Sequence, residues 1–474
     1  MEDMRRTKIV ATLGPATRNP EILAGVIKVG ADVLRLNFSH GTREEHAELV
    51  EIAREASRRA GREVGLLGDL PGPKIRLGEI EGDVLHLRHG QSLTLTTDAR
   101  PSERECLPVA WSGLPQAVGK NDVIYLADGS IRLRVTDTQD GEVGCKVETG
   151  GTVTSHQGLN LPGAEAVPAS AGESDLDWVD FAIDHGVDLL AVSFVRTAAD
   201  LEPVNARLAE RGVDTPVIAK IEKREAVAAA EEIVQAATGG IMVARGDLGI
   251  ELPIETIPLV QKRLLGLAGR YSKPSITATQ MLASMVRSTR PTRAEATDVA
   301  NAVFDGTDAL MLSEETAIGQ HPVKAVQMMA RIAEETEREL PYGDWLLHRT
   351  RRDVADVADT VSYGAVGAAY QLGLAALVVP TRSGRTARLV SAHRPPVHVI
   401  ALSPRPETAR RLNLLFGILP AVYEEPSSLD ELLAGCAEQA KKLGLAKSGD
   451  LVGITAGLEG QRLGTNLFEV HRVP

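Results

Sequence analysis

The segment Val217–Glu225 reads VIAKIEKRE. It is a short apolar run that ends in charged residues, which is typical of a buried parallel strand with polar side chains at its carboxyl end. Lys220 and Glu222 stand two positions apart, so a strand directs both side chains to the same face. A second run, MVARGDLGIE at Met242–Glu251, places Asp247 just after the next strand candidate. Two such runs in succession indicate an α/β fold with polar chemistry at the strand ends.

Similar apolar runs recur through the first two-thirds of the chain, and helical patterns such as Glu44–Ala60 and Lys223–Ala237 separate them. Eight alternating strands and helices are what a (β/α)8 barrel requires, whereas an open doubly wound sheet usually has fewer strands. We therefore predict an α/β protein built on a TIM barrel. The eight strand candidates are Lys8–Leu13, Val33–Phe38, Val64–Asp69, Asp188–Phe194, Pro216–Glu222, Gly240–Arg245, Pro274–Gln280 and Asp308–Ser313.

The regular spacing of the strand candidates is interrupted between the third and the fourth, which are separated by more than 100 residues. Within this interval, alternating apolar and polar residues are punctuated by Asp-Gly and Gly-Gly turns, a pattern that predicts a small β domain. An insertion at this point overhangs the carboxyl mouth of the barrel, where barrel enzymes hold their active sites. We therefore predict a β-barrel lid that can close over the site.

A third unit follows the barrel. A helix is predicted over Asp353–Gln371, and parallel strands are predicted over Ala375–Pro380, Val397–Leu402 and Leu451–Thr455, which together indicate an α/β sandwich. The predicted domains are a catalytic barrel at residues 1–75 and 168–345, an inserted lid at residues 76–167, and a C-terminal α/β domain for effector binding and oligomerisation at residues 346–474.

The composition is that of a globular protein with large cores, because 43% of the 474 residues are hydrophobic and 24% are charged. The net charge of −12 repels a phosphate backbone, so we expect no nucleic-acid partner. Cys106, Cys145 and Cys436 lie far apart, which supports neither a disulfide framework nor a zinc site and fits a reducing cytoplasm. No run of about 18 apolar residues occurs, so we expect no membrane partner and a cytoplasmic location.

The polar residues at the ends of the fifth and sixth strands suit a divalent metal ion. Glu222 and Asp247 could share Mg²⁺ or Mn²⁺, hard cations that take oxygen ligands and leave coordination sites for water and substrate. Lys220 would add a second positive charge beside them. The alternative is that Lys220 and Glu222 form only a structural ion pair.

Three further strand ends carry groups suited to anions. They are RLNFSHG at Arg35–Gly41, DLPGPKIRLG at Asp69–Gly78 and ITATQM at Ile276–Met281. Arg35 and Arg76 offer the planar donor fork that matches phosphate, and Thr279 offers a hydroxyl. Each residue alone could be an ordinary turn or cap, but their convergence on one mouth indicates phosphate chemistry.

Together these segments make the chain resemble the pyruvate kinases over essentially its whole length. The motifs that carry the resemblance are TKIVATLGPAT, VLRLNFSHG, GPKIRLG, GLNLPG, SFVR, AKIEKREAV, MVARGDLGIELP, KPSITATQMLASM and PTRAEATDVANAVFDGTDALMLSEETAIGQHP. The resemblance implies Mg²⁺-dependent phosphoryl transfer from phosphoenolpyruvate to ADP in glycolysis, with a second Mg²⁺ arriving with the nucleotide. It also implies a homotetramer.

The resemblance assigns roles to the strand-end residues. Glu222 and Asp247 would hold the Mg²⁺ that bridges the substrate carboxylate and phosphoryl group. Lys220 and Arg35 would neutralise the charge that develops on the transferred phosphoryl group and on the enolate. Arg76 would also assist catalysis.

Phosphoryl transfer leaves enolpyruvate, which must be protonated at its methylene carbon. Thr279 matches the family position that delivers this proton, with Ser313 as a neighbour. The backbone N–H groups of Gly246 and Asp247 match the site that binds the substrate carboxylate. Ser193 is expected beside the substrate.

The third strand loop departs from many relatives, which hold K⁺ with the equivalents of Asn37, Ser39, Asp69 and a main-chain carbonyl. Leu70 replaces the usual Thr that offers this carbonyl, and Lys74 replaces a Glu. A fixed ammonium can supply the charge that K⁺ otherwise brings, so we predict activity without K⁺. The alternative is that Lys74 is a surface residue of the lid hinge and that K⁺ still binds.

Nucleotide contacts are predicted from the same resemblance. His40 and Arg76 match nucleotide-side positions, and Gln157 stands where many relatives carry a lysine that reaches the nucleotide phosphates. His40 follows a strand at a turn, so it could equally be an ordinary capping residue with no contact to the nucleotide.

The segment VVPTRSGRTARLV at Val378–Val390 reads as a strand, a polar turn and a helix. Its hydroxyls, arginines and helix N–H groups could cradle a phosphate, and in pyruvate kinases the matching segment binds a phosphorylated effector. AMP, ribose 5-phosphate and glucose 6-phosphate are candidate effectors, and a plain helix cap without an effector is the alternative. The predicted effector contacts are Thr381, Arg382, Ser383, Gly384, Arg385 and Thr386.

Two other interpretations stay open. Metal-dependent aldolases also use a barrel whose Glu and Asp hold Mg²⁺ against an enolate, so the two metal-site motifs alone also fit a carbon–carbon lyase. A catalytically silent effector-binding protein would lack Lys220, Glu222 or Asp247, and all three are present.

Overall fold

The computed structural model describes residues 5–73, 75–98, 105–127, 129–139, 141–163, 171–348, 356–457 and 464–474. Eight parallel strands close into a barrel in which each strand pairs with its neighbours in chain order. Each strand lies inside one of the eight predicted runs, which confirms the TIM barrel. Strands 1 to 8 are Lys8–Thr12, Val33–Asn37, Gly65–Asp69, Leu189–Val192, Val217–Ile221, Gly240–Ala244, Ser275–Ala278 and Ala309–Leu312.

Helices surround the barrel and bury an apolar stripe against it. The helix Arg43–Ala60 begins where Thr42 accepts the Glu45 N–H and Glu45 reaches back to the Thr42 N–H, a capping box that satisfies two backbone donors. The helices of this part of the chain are Pro20–Lys28, Arg43–Ala60, Glu173–Asp184, Glu202–Glu210, Arg224–Ala228, Ala230–Ala236, Arg245–Glu251, Ile257–Arg270, Arg293–Phe304, Glu314–Ala317, Pro322–Glu337 and Tyr342–His348, with short 3₁₀ turns at Pro15–Thr17, Ala198–Leu201, Ile254–Thr256 and Ala283–Val286.

A repeated hydrogen bond joins the strands in pairs at the base of the barrel. In each pair, a side chain one or two residues before an even-numbered strand accepts a backbone N–H from the beginning of the preceding odd-numbered strand. The four pairs are Ile9 N to Asp32 (2.9 Å), Leu66 N to Asp188 (2.9 Å), Val217 N to Thr238 (2.8 Å) and Ser275 N to Asp308 (2.9 Å). These bonds satisfy buried amides at the strand starts and fix the register of neighbouring strands.

The inserted segment is a β unit with one short helix, Leu114–Ala117. Its strands are Val84–Leu87, Ser92–Thr96, Cys106–Pro108, Val123–Leu126, Ile131–Gln139, Glu142–Thr149, Gly151–Thr154 and Leu159–Asn160. Six strands form one sheet, and Val84–Leu87 pairs with Gly151–Thr154 in a second ladder. Residues 76 and 77 bridge to Gly158 at one edge of the larger sheet and to Val109 at the other. They therefore join its two edges, as a β-barrel lid requires.

The C-terminal part is an α/β unit, as predicted. Its five-stranded sheet is parallel except for the last strand, which pairs antiparallel to Leu451–Ala456. The strands are Ala376–Pro380, Val399–Ser403, Ile418–Val422, Leu451–Ala456 and Leu467–Arg472, and the helices are Val357–Leu372, Arg385–Ala392, Pro406–Leu412 and Leu429–Lys442. The sequence pattern did not predict the two edge strands. The predicted helix start at residues 353–355 lies outside the described residues.

The C-terminal unit is attached to the base of the barrel by buried ion pairs. Arg394 donates to Asp308 at 2.7 Å, and Arg410 donates to Asp188 at 2.8 Å. Both aspartates are the same residues that hold the strand starts. The domain limits given above stay predictions. None of the described helices is long and apolar enough to cross a membrane.

Candidate active site

A network of charged and hydroxyl groups lies at the carboxyl ends of strands 2 to 5. The Arg35 guanidinium donates from Nε to Asp69 Oδ2 at 2.7 Å and from Nη1 to Thr12 Oγ1 at 3.1 Å. Lys220 Nζ donates to Ser193 Oγ at 2.7 Å and lies 3.3 Å from Asp69 Oδ1. The structure thus brings Arg35, Lys220, Ser193 and Asp69 together.

Asp69 is the anchor of this network. Its carboxylate is 1% exposed, and burial alone would raise its pKa, but Lys220 and Arg35 outweigh burial and the pKa is lowered. Burial likewise opposes the charge of Lys220, yet the carboxylates of Asp69 and Glu222 raise the pKa of this lysine. Lys220 is therefore charged, and contacts with Asp69 hold both Lys220 and Arg35 in place before any substrate arrives.

Glu222 lies beside Lys220, at the end of strand 5. Its Oε1 accepts the Phe194 N–H at 2.5 Å, and its Oε2 lies 3.5 Å from Lys220 Nζ. Burial raises the pKa of Glu222 to about 7, and the charge of Asp247 adds to this rise while Lys220 opposes it. A divalent cation would neutralise the repulsion between the buried carboxylate of Glu222 and the half-buried carboxylate of Asp247.

The donor set fits Mg²⁺ or Mn²⁺. Asp247 belongs to the helix Arg245–Glu251, which begins directly after strand 6, so its carboxylate is close enough to act on Glu222. Within the described residues, no group of three or more His, Cys, Asp or Glu side chains could hold a metal ion. A cation held by the two carboxylates of Glu222 and Asp247 would keep most of its coordination positions for water and substrate oxygens, because Mg²⁺ takes six ligands.

Thr279 follows strand 7 with a φ of 72°, which is unusual for a β-branched residue. Its Oγ1 accepts the Gly246 N–H at 2.7 Å and donates to the Ala278 carbonyl at 2.6 Å. The Gly246 N–H predicted to bind the substrate carboxylate is thus bonded to Thr279 in this structure. A substrate carboxylate would have to take over this bond.

Arg245 holds the strained turn and was not predicted from the sequence. Its guanidinium donates to the Thr279 carbonyl at 2.9 Å and to the Ala278 carbonyl at 3.2 Å, and it pairs with Asp298 at 2.6 Å. The sequence could have marked Arg245, because it is the charged residue that follows strand 6 inside the motif MVARGDLGIE.

Ser313 stands at the end of strand 8, where its backbone N–H donates to Glu315 Oε2 at 2.8 Å. The other oxygen of Glu315 accepts the Leu282 N–H at 3.0 Å. The buried Glu315 therefore ties the loops after strands 7 and 8 together. No local sequence pattern marked this residue, because its role depends on the closure of the barrel.

The residues predicted for a monovalent cation lie around the ends of strands 2 and 3. Asn37 and Asp69 are paired in register, Ser39 N donates to Asn37 Oδ1 at 3.4 Å, and the Leu70 carbonyl accepts from Ser193 Oγ at 2.7 Å. Lys74 lies outside the described residues. The prediction that its ammonium replaces K⁺ therefore stays a prediction.

The predicted nucleotide contacts lie where the lid meets the barrel. Arg76 donates to the His156 carbonyl at 3.1 Å and to the Ser39 carbonyl at 3.5 Å, so one side chain spans both parts. Gln157 Oε1 accepts the Thr154 N–H at 3.0 Å within its own turn. The His40 carbonyl accepts a hydrogen bond from His46.

The predicted effector loop is far from this mouth, at the end of the strand Ala376–Pro380. Thr381 Oγ1 accepts the Gly384 N–H at 3.0 Å, and Thr386 Oγ1 lies 2.5 Å from Thr465 Oγ1. Arg382 pairs with Glu425 at 2.6 Å, and Arg385 pairs with Asp356. Ser383 lines a cavity between the loop and the barrel.

Known proteins resemble the chain along its whole length. Residues 4–326 match the family described as pyruvate kinase, barrel domain, and residues 359–471 match pyruvate kinase, alpha/beta domain. The pyruvate kinase of Thermococcus litoralis is 41% identical over 476 residues, covering 99% of each chain. The pyruvate kinase of Mycobacterium tuberculosis is 41% identical over 472 residues, covering 99% of this chain and 98% of that protein.

A solved structure agrees with these relatives. The crystal structure of a pyruvate kinase from Cryptosporidium parvum is 37% identical, covers 99% of this chain and 96% of that one, and has a TM-score of 0.92. The likeness includes the barrel, the inserted β unit and the C-terminal unit, because it extends over nearly the whole of both chains. The chain therefore belongs to the pyruvate kinase family.

Proposed function

We propose that the chain catalyses Mg²⁺-dependent transfer of the phosphoryl group from phosphoenolpyruvate to ADP, which gives pyruvate and ATP. The observation that carries this proposal is the cluster at the barrel mouth. Two charged donors, Arg35 and Lys220, are held by Asp69 beside the carboxylate of Glu222. This arrangement offers positive charge to a phosphoryl group and oxygen ligands to a metal ion in the same place.

Arg35 and Lys220 bind and orient the phosphoryl group in this account. Their contacts with Asp69 fix both side chains, so little reorganisation is needed when charge develops on the transferred group. Glu222 and Asp247 would hold the divalent cation, which supplies Lewis-acid charge for the phosphoryl and enolate oxygens. Ser193 donates to the Leu70 carbonyl and accepts from Lys220, which keeps the ammonium directed to the mouth.

After phosphoryl transfer, the Thr279 hydroxyl would help to deliver a proton to the methylene carbon of enolpyruvate. It already accepts one N–H and donates to one carbonyl, so its hydroxyl is fixed at the end of strand 7. Arg245 positions it by holding the Ala278 and Thr279 carbonyls. Ser313 would support the water that relays the proton.

ADP would bind between the lid and the barrel rim. Arg76 is the contact that supports this placement, because it reaches carbonyls on both sides of the cleft. Its planar fork suits a nucleotide phosphate once the lid closes. His40 and Gln157 would lie on the same side.

Activity without K⁺ is part of the proposal. Its support is the replacement of the usual Thr and Glu by Leu70 and Lys74. Turnover in tetramethylammonium buffer, with and without K⁺, is the test. We expect the two rates to agree within a few-fold, and turnover that requires K⁺ would overturn this part while leaving the enzyme intact.

We also propose a homotetramer located in the cytoplasm and regulated by a phosphorylated metabolite. Exposed apolar side chains support assembly, since Ile254 and Leu259 are each 71% exposed on the barrel surface.

The reaction is tested by measuring pyruvate formed from phosphoenolpyruvate and ADP with Mg²⁺. Lys220→Met is expected to lower kcat by about 10² to 10⁴-fold, because it removes a charge held against the transferred group. The matched control is Lys28→Met, at an exposed lysine on the barrel surface, which should keep the native rate. Equal loss in both variants, or no turnover in the native protein, would contradict the proposal.

A further inference from the structure

The hinge that leads from strand 3 into the lid packs against the turn that follows strand 4. Gly72 in this hinge has a φ of 64°, and a Cβ atom at its position would lie 2.7 Å from Phe194 Cδ2 and 3.0 Å from Ser193 Cβ. Only a residue without a side chain can approach the turn so closely. The hinge is therefore in direct contact with the two residues that follow the strand Leu189–Val192.

One carboxylate holds both connections between the lid and the barrel. Asp175 Oδ1 accepts the Gly72 N–H at 2.9 Å, and Asp175 Oδ2 accepts the Gly172 N–H at 3.1 Å. Gly72 precedes the inserted β unit and Gly172 follows it, so Asp175 ties the two connections together. Because Asp175 is buried at the start of the helix Glu173–Asp184, it fixes both connections relative to the barrel.

The backbone of Phe194 orients the carboxylate of Glu222. The Phe194 N–H donates to Glu222 Oε1 at 2.5 Å. Phe194 has a φ of 58°, a left-handed conformation that is uncommon for a bulky residue. A residue stays in such a conformation only where its surroundings hold it. The contacts that hold the Phe194 ring therefore help to fix the N–H that orients Glu222.

The ring of Phe194 is contacted by the barrel as well as by the hinge. Lys223 Nζ lies 5.7 Å from the ring centroid, within the range of a cation–π contact. The same ammonium donates to Glu251 Oε1 at 2.6 Å, and the Glu251 side chain is buried. Lys223 directly follows Glu222, and Glu251 lies on the same short helix as Asp247. The ring thus connects the lid hinge to the two chain segments that carry the expected metal ligands.

We propose that Phe194 is a positioning residue that couples the lid hinge to Glu222, a role that rests on the proposed function because that function places Mg²⁺ on Glu222 and Asp247. When the hinge moves, Gly72 presses on the Phe194 ring or releases it, and the N–H that orients the Glu222 carboxylate shifts with the ring. A residue that orients a metal ligand changes metal affinity although it does not touch the metal. Because coupling between two sites is reciprocal, the bound metal also favours one position of the lid.

The coupling is tested by measuring Mn²⁺ affinity with paramagnetic resonance in the full-length protein, without substrate or nucleotide. Gly72→Ala places a Cβ atom against the ring, and Phe194→Ala removes the ring but keeps the backbone N–H. Each variant should raise the Mn²⁺ Kd about tenfold, as is usual when a residue that orients a metal ligand is changed. The matched control is Gly82→Ala, because Gly82 also has a positive φ, of 74°, but a Cβ there would meet no atom within 4 Å. This control should keep the native Kd.

A double variant separates coupling from a general disturbance of the site. In Gly72→Ala combined with Phe194→Ala, the added Cβ no longer meets a ring, and the contact with Ser193 Cβ at 3.0 Å is the tightest that remains. The double variant should therefore bind Mn²⁺ within about twofold of Phe194→Ala alone. Two independent effects that multiply in the double variant would overturn the proposal, as would a native Kd in both single variants.

Thermal melts identify any variant that is unfolded, and a milder change then takes its place. Phe194→Leu loses only the aromatic ring, and Asp175→Asn loses one of the two oxygens that accept the hinge N–H groups, so each should also raise the Mn²⁺ Kd and the pair should again be non-additive. Mn²⁺ binding that depends on Phe194 in a protein that forms no ATP would support the coupling and contradict the proposed function. ATP formation with a native Mn²⁺ Kd in every variant would do the reverse, and a native protein that binds no Mn²⁺ would overturn both.

Discussion

Thr279 carries the clearest strain at the catalytic mouth. A β-branched residue at a φ of 72° costs about 1–3 kcal/mol, so neighbouring contacts must hold it there. Those contacts are the Gly246 N–H on its hydroxyl and Arg245 on its carbonyl. Strain that is maintained by two further residues indicates that the position of the hydroxyl matters for the reaction.

Replacement of this hydroxyl should slow the protonation of enolpyruvate and leave phosphoryl transfer to ADP less affected. Thr279→Val is expected to lower kcat by about 10²-fold through lost proton delivery, whereas Thr279→Ser should keep most of the activity because it retains Oγ. The measurement is kcat for pyruvate formation, together with Mn²⁺ affinity, which should be native in both variants. Equal activity of the Val and Ser variants would show that the hydroxyl has no part in catalysis.

Glu222 predicts a pH dependence of metal binding. The metal needs the ionised carboxylate, and the metal-free group has a pKa of about 7, so lowering the pH below 7 protonates Glu222 and weakens binding. Mn²⁺ affinity should fall by up to about tenfold per pH unit between pH 7 and 5.5 and level off above about pH 8. Paramagnetic resonance titrations of free Mn²⁺ measure this. A flat profile, or an unchanged profile in Glu222→Gln, would contradict the assignment.

Arg394 shows how an element of the C-terminal unit supports the barrel. Its guanidinium is 3% exposed and contacts the Asp308 carboxylate and the Gly306 carbonyl, while Asp308 also holds the beginning of strand 7. Arg394→Met would leave a buried carboxylate without its cation, which costs about 3–5 kcal/mol. Thermal melts should show a clear loss of stability. Arg58→Met removes an exposed pair with Glu55 and should cost less than about 1 kcal/mol, and equal melting temperatures for the two variants would contradict this account.

Strands and helices with a regular pattern of apolar and polar residues were predictable from the sequence, whereas contacts between distant loops were not. Lys220 and Glu222 could be placed on one face because strand alternation depends only on neighbouring residues. Glu315 could not, since it joins loops that meet only when the barrel closes. The strand Ile418–Val422 escaped prediction because it contains Pro420, which is tolerated at the edge of a sheet where this strand lies.

Exposed apolar side chains on two parts of the chain predict that copies of it assemble. Leu259 is 71% exposed on the barrel, and Tyr370 and Leu372 are 56% and 54% exposed on the C-terminal unit. Two separate patches would allow a dimer of dimers. Sedimentation velocity at micromolar concentration should show a four-chain species, and Leu259→Asp should shift it to smaller species. Val84→Asp, on the lid, should not, and a native protein that sediments as a monomer would exclude the tetramer.

We expect the carboxyl mouth of the barrel to transfer a phosphoryl group from phosphoenolpyruvate to ADP. Phosphorus-31 NMR of a single reaction with Mg²⁺ follows both partners at once, because the phosphoenolpyruvate and ATP γ-phosphorus signals are distinct. We predict that each phosphoenolpyruvate lost yields one ATP, and that Lys220→Met slows both signal changes by about 10² to 10⁴-fold. Consumption of phosphoenolpyruvate with release of inorganic phosphate and no ATP would contradict the account and favour a lyase or hydrolytic reaction at the same metal site.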